Sequence, residues 1–488
     1  MIWQEIEKEL ERRKLPELLL FPDGSKVKSA EDWEKRKGQI REILFREFAG
    51  FSPAFPVVTK GEVGVRDENA YGGKAVREKI LLSFRTPFNA FAFSFELFVP
   101  KRGEKGKKPL FLYLGFTQTP ADGPGEEIID NGFALAHISY QEIAPDKNDS
   151  FANGLGTFCT RNPYDSWGKL GMWAYGASRA ADYLCGRPEL DAGRMAVMGH
   201  SRLGKAALLC GAMDERFSLT VSNDSGAGGA ALFRGKCGER ISDLTGNACA
   251  HWFCGNFASY AGREEELPFD QHFLLALTAP RYLYVASASE DSWADPMSEF
   301  LSCAAASPVF EICGSQRGDA VEAAKGQVAS AVAEAAKSRG ASAVAEAAKS
   351  QVASAAAEAA KSRGASAVAE AAKSQGASAA AEVAGSRGES SAAEAVRSQG
   401  VSAADENAVG QHKSSASEAC VTQYPCRGLV LEGAAWEGGM PFLIEKGLEL
   451  PVKPLHEGHI GYHLRQGTHH LGREDWQHVM EFRRKHEI

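Results

Sequence analysis

The sequence predicts an α/β fold, a mostly parallel sheet covered by helices on both faces, and three observations predict it. Short runs dense in β-branched, aromatic and aliphatic residues recur along the chain, among them KPLFLYLGF, GFALAHISY, RMAVMG and RYLYVASA. Stretches of helical character lie between them. One run, RMAVMG, passes through a tight Gly-x-Ser turn into an Ala/Leu-rich segment, and alternation of strand and helix in this order places chemistry at the carboxyl ends of the strands.

Taken in chain order, ILLSFRTPFNAFAFSFELFVP at residues 80–100 reads as two adjacent strands, since Phe, Val and Leu fill it on either side of a Thr-Pro break. KPLFLYLGF is apolar enough for a buried central strand, and GFALAHISY is similar. A helix is predicted around GMWAYGASRAADYL (171–184), then the strand RMAVMG at 194–199. RYLYVASA at 281–288 supplies a later strand and HIGYHLR a last one.

The chain has 488 residues, 44% hydrophobic and 24% charged, with a net charge of −8. The charge excludes a basic groove for nucleic acid. The amino terminus, MIWQEIEKELERRKLPELLL, lacks the basic-then-apolar order of a secretory signal, and no run of eighteen apolar residues occurs. A soluble, cytoplasmic protein is expected, with no membrane partner; composition leaves the oligomeric state open. The ten cysteines are scattered without CxxC spacing and read as small buried hydrophobes.

A low-complexity block interrupts this composition. From 314 to 420 an AVAEAAKS-like unit returns every twelve residues, with glutamates at Glu322, Glu334 and Glu346 and lysines trailing three behind. Alanine and the Glu–Lys pairs favour helix, while a recurring Ser-Arg-Gly or Ser-Gln-Gly weakens it at each unit boundary. With almost only Ala and Val as apolar residues the block buries no core of its own. The expected organisation is an α/β domain in two parts, 1–313 and 421–488, around an exposed, partly disordered insertion that grew by duplication.

The chemistry concentrates at MAVMGHSRLGKAALL. A serine between strand and helix needs small neighbours because the backbone turns sharply, and Gly199 and Gly204 supply them around Ser201. The helix start then aims N–H groups at a developing oxyanion. A serine that merely caps a helix is the plain alternative. An acid and a histidine following in the order Ser, Asp, His favour a nucleophile. For the base, His469 in the Gly-Thr-His-His turn is chosen over His470, and His463 reads as a strand residue bonded to its neighbours. Two acids remain open, Asp291 in SASEDSWADP and Asp224 in VSNDSGAGG. Without HExxH or paired-carboxylate spacing, the histidine cluster predicts no metal, and no cofactor is implied.

At GHSRLGK the sequence resembles the glucuronoyl esterases, carbohydrate esterase family fifteen, α/β hydrolases whose elbow reads G-x-S-R-x-G-K. The resemblance extends to Asp224-Ser225-Gly226-Ala227-Gly228-Gly229, to LPFDQHFLLALTAPRYLYV at 267–285, to the WADP at 293–296 and to the Arg-x-Gly-x-His at 465–469. It implies a three-layer hydrolase that cleaves the ester between a 4-O-methyl-glucuronic acid branch of xylan, or of its oligosaccharides, and an alcohol. It further implies Ser201 as nucleophile, His469 as base, Arg202 as a side-chain oxyanion donor, and Lys205, Trp293 and Trp252 as substrate-binding. Asp224 departs from the Glu of many members, and the stretch before Trp252 lacks the acidic sugar-binding residue of fungal ones. An acetylxylan or general carboxylesterase is the neighbouring alternative, and a non-catalytic carbohydrate-binding or interaction protein the alternative of another class.

Overall fold

The computed structural model describes residues 2–53, 57–86, 89–102, 106–119, 123–246, 249–314, 428–429, 451 and 453–488. One compact unit takes in Met1–Gly314 and Cys426–Ile488. The interrupted helix and the disorder expected of the repeat concern residues outside those described.

Nine strands form a single sheet: β1 (Val58–Asn69), β2 (Ala75–Arg85), β3 (Ala90–Pro100), β4 (Lys108–Gly115), β5 (Ala134–Ser139), β6 (Leu190–His200), β7 (Phe217–Asn223), β8 (Tyr282–Ala288) and β9 (Ile460–Arg465). Their order is β1-β2-β3-β5-β4-β6-β7-β8-β9. From β5 to β9 every pairing is parallel, while β1, β2 and β3 add antiparallel strands at one edge. Residues 80–100 do form an adjacent pair, with Ile80 facing Phe95 and Phe84 facing Phe91. Strand β1 escaped the sequence reading because it is an edge strand whose apolar residues face water: Val58 is 65% and Val65 58% exposed. No buried face imposes an alternating pattern on it.

Helices cover both faces, and β4 shows why. Its side chains alternate. Leu110, Leu112 and Leu114 join the main core, which also holds α3 (Lys169–Leu184) and α4 (Arg202–Met213). Phe111 and Tyr113 point the other way and meet Trp476 of the last helix edge-on, at 5.3 and 5.4 Å between ring centroids. Two amino-terminal helices, α1 (Ile2–Arg13) and α2 (Ala30–Leu44), a helix α5 over 296–314 and that last helix, α6 (Arg473–His486), complete the frame. Ser29 caps α2 by accepting from Asp32 N–H at 3.1 Å. Trp173 and Trp476 are fully buried, and truncation of either to Ala costs about 3–5 kcal/mol. Among the described residues no helix is long and apolar enough to cross a membrane.

Cys210, Cys254, Cys303 and Cys313 are buried as expected, whereas Cys237 is exposed.

Candidate active site

The carboxyl ends of β6, β7, β8 and β9 converge on one place. Strand β6 ends at His200, and Ser201 follows with φ 56° and ψ −128° before α4 begins. A non-glycine residue held there stores on the order of 1–3 kcal/mol of strain. The surroundings fix it: Ser201 N–H donates to Asn223 O at 2.9 Å, and Ser201 O accepts from Lys205 N–H at 3.2 Å. A Cβ on Gly199 would lie 2.1 Å from Leu203 O, a backbone atom of the helix, so only glycine lets strand and helix approach this closely. At Gly204 the corresponding distance, to Ser225 Cβ, is 3.0 Å.

His469 lies in the loop after β9. Its Nδ1 is 2.6 Å from Asp291 Oδ2 and its Nε2 2.9 Å from Ser201 Oγ. An ionised carboxylate only accepts, so Nδ1 carries the proton and Nε2 accepts from the serine hydroxyl. Asp291, 5% exposed, follows β8 and also accepts from Ala294 N–H at 3.1 Å. Burial alone would push its pKa up; the bonds from His469 and Ala294 outweigh it and hold the carboxyl below its ordinary value.

Of the two acids the sequence left open, Asp291 bonds the imidazole, and Asp224 is occupied elsewhere. Asp224 follows β7 at φ 42°, is 1% exposed, and pairs through Oδ2 with Arg465 Nη2 at 2.8 Å. Its Oδ1 has no hydrogen-bond partner. Burial first, then the nearby Glu299, push its pKa up against the pull of Arg465. It still lies close: one ligating atom from each of Asp224, Asp291 and His469 falls within 4.8 Å of the others. His470 contacts Thr468 O, and His463 is buried between Tyr284 OH and Asp475, as expected of a strand residue bonded to neighbours.

Arg202, the first residue of α4, donates from Nη1 to Asp146 Oδ2 at 2.5 Å, and its guanidinium sits 4.9 Å over the Trp252 ring. Asp146 was not singled out by the sequence, although it follows β5 at the functional end of the sheet. Its Oδ1 also accepts from His251 Nε2 at 2.8 Å and Trp252 Nε1 at 2.7 Å. Burial opposes the charge, but these donors together lower the pKa to about 2. Trp252 is thus a buried wall with its N–H engaged, while Trp293 stands 55% exposed.

Lys205 is 3% exposed, and its three protons meet Ser225 O at 2.8 Å, Ala227 O at 2.6 Å and Glu239 Oε2 at 3.0 Å. Glu239, in the loop RGKCGER, is a site residue that spacing did not reveal. It lies in the stretch before Trp252, where the sequence showed no acidic sugar-binding residue, and it places a carboxylate beside Lys205.

This arrangement is that of an activated serine with an oriented base. The family model for fungal glucuronyl esterases matches residues 86–314. Carbohydrate esterase MZ0003, from an unknown prokaryotic organism, is 34% identical over 354 residues, covering 63% of this chain and 80% of its own. The 4-O-methyl-glucuronoyl methylesterase of Schizophyllum commune is 30% identical over 320 residues, or 62% of this chain and 74% of that protein. A solved glucuronoyl esterase from Solibacter usitatus superposes with a TM-score of 0.64 at 26% identity, covering 96% of this chain and 97% of that one.

Proposed function

Because the chain belongs to the glucuronoyl esterase family, we propose that it acts as a serine esterase on esters of 4-O-methyl-glucuronic acid carried by xylan or its oligosaccharides. The observation that carries this reading is the His469 imidazole bridging Ser201 at 2.9 Å and Asp291 at 2.6 Å.

Ser201 Oγ attacks the ester carbonyl carbon as its proton passes to His469 Nε2, a general-base contribution of about 10²–10⁴ in rate. The carbonyl oxygen becomes an oxyanion facing the first N–H groups of α4 and the Arg202 guanidinium. The ester C–O bond then breaks, Nε2 returns the proton to the departing alcohol oxygen, and the uronoyl group remains on Oγ. Water attacks this acyl-enzyme, gives a proton to Nε2, and releases the uronic acid as Ser201 recovers its hydrogen. Asp291 stays ionised throughout and holds Nδ1–H, which stabilises the imidazolium. Lys205 and Glu239, paired at 3.0 Å, and the exposed Trp293 supply polar groups and an aromatic face for the sugar. Asp146 fixes Arg202 in place.

The test is kcat/KM on benzyl glucuronate beside 4-nitrophenyl acetate. Preference for the uronate is the expected result. Turnover of the acetate alone would transfer the chain to general esterases, and turnover of neither would overturn the enzymatic reading.

A further inference from the structure

His200 immediately precedes Ser201, and its ring lies against that of His469 with centroids 4.6 Å apart and planes tilted by 40°. The His200 ring is itself locked. Asn223 donates from Nδ2 to Asp475 Oδ1 at 3.2 Å, which turns the amide oxygen toward His200, and His200 Nδ1 lies 2.6 Å from that oxygen. The proton of His200 therefore sits on Nδ1. Asp475 is held in turn by Arg465 Nε, at 2.9 Å to Oδ2, and by His463 Nε2 at 2.9 Å. Phe116 approaches the same ring edge-on at 6.1 Å. A chain of buried bonds from β9 and α6 thus ends in a fixed flat surface beneath the base.

His469 needs such a surface. Its side chain is 43% exposed, and its two hydrogen bonds lie in the plane of the ring. In-plane bonds resist rotation only until they stretch, and a tilt about the Cβ–Cγ bond moves both nitrogens off their partners together. A ring packed against one side of the imidazole at 4.6 Å opposes that tilt directly.

We propose that His200 is a positioning residue for His469, its anchored ring serving as the floor that holds the base imidazole in the rotamer bridging Ser201 and Asp291. The proposal rests on the reading of His469 as the base. Charge permits the contact: burial first, then the facing His469, lower the pKa of His200 to about 4, against the pull of Asp475 and with the push of Arg465. His200 is neutral when His469 takes up the serine proton, so no second cation opposes it.

The experiment compares kcat and KM of the full-length protein with those of His200→Ala, His200→Phe, His200→Gln and, as a control, His469→Ala, each checked for cooperative thermal unfolding. The substrate is whichever of benzyl glucuronate and 4-nitrophenyl acetate the wild type cleaves faster. His200→Ala is expected to lose about 10–100-fold in kcat, the scale of an ångström misplacement of a reacting group, with KM unchanged within about twofold. His200→Phe, which restores a flat ring without the Asn223 bond, recovers most of the loss, and His200→Gln, which keeps a polar partner without a ring, does not. Wild-type kcat in His200→Ala would overturn the proposal, as would rescue by Gln and not by Phe, or a loss confined to KM. Activity in His469→Ala would instead refute the assignment of the base on which the proposal stands.

Discussion

Replacing Asp146 by Asn perturbs the group that organises the oxyanion side of the site. The carboxylate takes His251 and Trp252 on Oδ1 and Arg202 on Oδ2, with Tyr140 OH 3.4 Å away. Its pKa falls from 3.8 to about 2; that difference is worth roughly 2.5 kcal/mol at 1.36 kcal/mol per unit. Water still reaches the pocket, so about 1–2 kcal/mol is the usable figure. The sign follows from a depressed acid: the contribution is complete above the unfolded pKa near 4 and is lost as pH falls through about 2. At neutral pH the variant loses it entirely. An amide also has one acceptor and two donors, so its NH2 must face either Arg202 or the His251–Trp252 pair, leaving donor against donor at a cost of about 1–3 kcal/mol. We expect Asp146→Asn to be about 2–3 kcal/mol less stable in urea unfolding. Its kcat/KM on benzyl glucuronate should fall about 10–100-fold, somewhat less than the loss of a whole oxyanion donor. In an Arg202→Ala background the same change should cost little further activity. Full kcat/KM in Asp146→Asn, or an undiminished additional loss without Arg202, would refute the reasoning.

Three further outcomes follow from other parts of the molecule. Glu239→Gln leaves the buried Lys205 ammonium without its counter-charge at 3.0 Å, and KM for benzyl glucuronate should rise about tenfold while 4-nitrophenyl acetate hydrolysis barely changes; equal losses on both esters would contradict a sugar-directed role. Leu429 N–H bonds Ser307 Oγ at 2.9 Å, about 10 Å along α5 from its end at residue 314, so a Gly/Ser linker of about six residues in place of 315–425 should leave kcat/KM within about threefold, and an insoluble product would count against a self-sufficient hydrolase unit. Burial lowers the pKa of His272 from 6.5 to about 4; the unfolded chain then binds the extra proton first, and stability falls as pH drops from about 6.5 to 4, by roughly 3 kcal/mol from this residue. Urea unfolding of His272→Gln should show a correspondingly shallower pH dependence between pH 7 and 5, and an unchanged slope would remove His272 from the cause.

The parallel sheet was legible because its strands are buried on both faces and read as continuous apolar runs, and because Gly199-His200-Ser201 sits where such a run meets a helix. Strand β1 was not, since an edge strand facing water carries no pattern that distinguishes it from loop. Within the site, the order Ser, Asp, His narrowed the chemistry, yet spacing could not choose between Asp291 and Asp224. Both follow strands at the same end of the sheet, and the choice depends on Arg465, which reaches Asp224 from β9. Asp146 carried a findable signal, a Pro-Asp just beyond a predicted strand, whereas Glu239 lies in an irregular loop and meets Lys205 only through tertiary folding. His200 occupied the variable position of the elbow, where a side chain draws no attention until its neighbour across the site is known.

The most direct test of the account is benzyl glucuronate hydrolysis by Ser201→Ala, with folding checked by circular dichroism. The account predicts a loss of about 10⁴-fold or more in kcat with the fold intact. Substantial turnover by a folded Ser201→Ala protein would contradict it, because Ser201 Oγ is the hydroxyl that His469 Nε2 reaches, at 2.9 Å, to take up the acyl group.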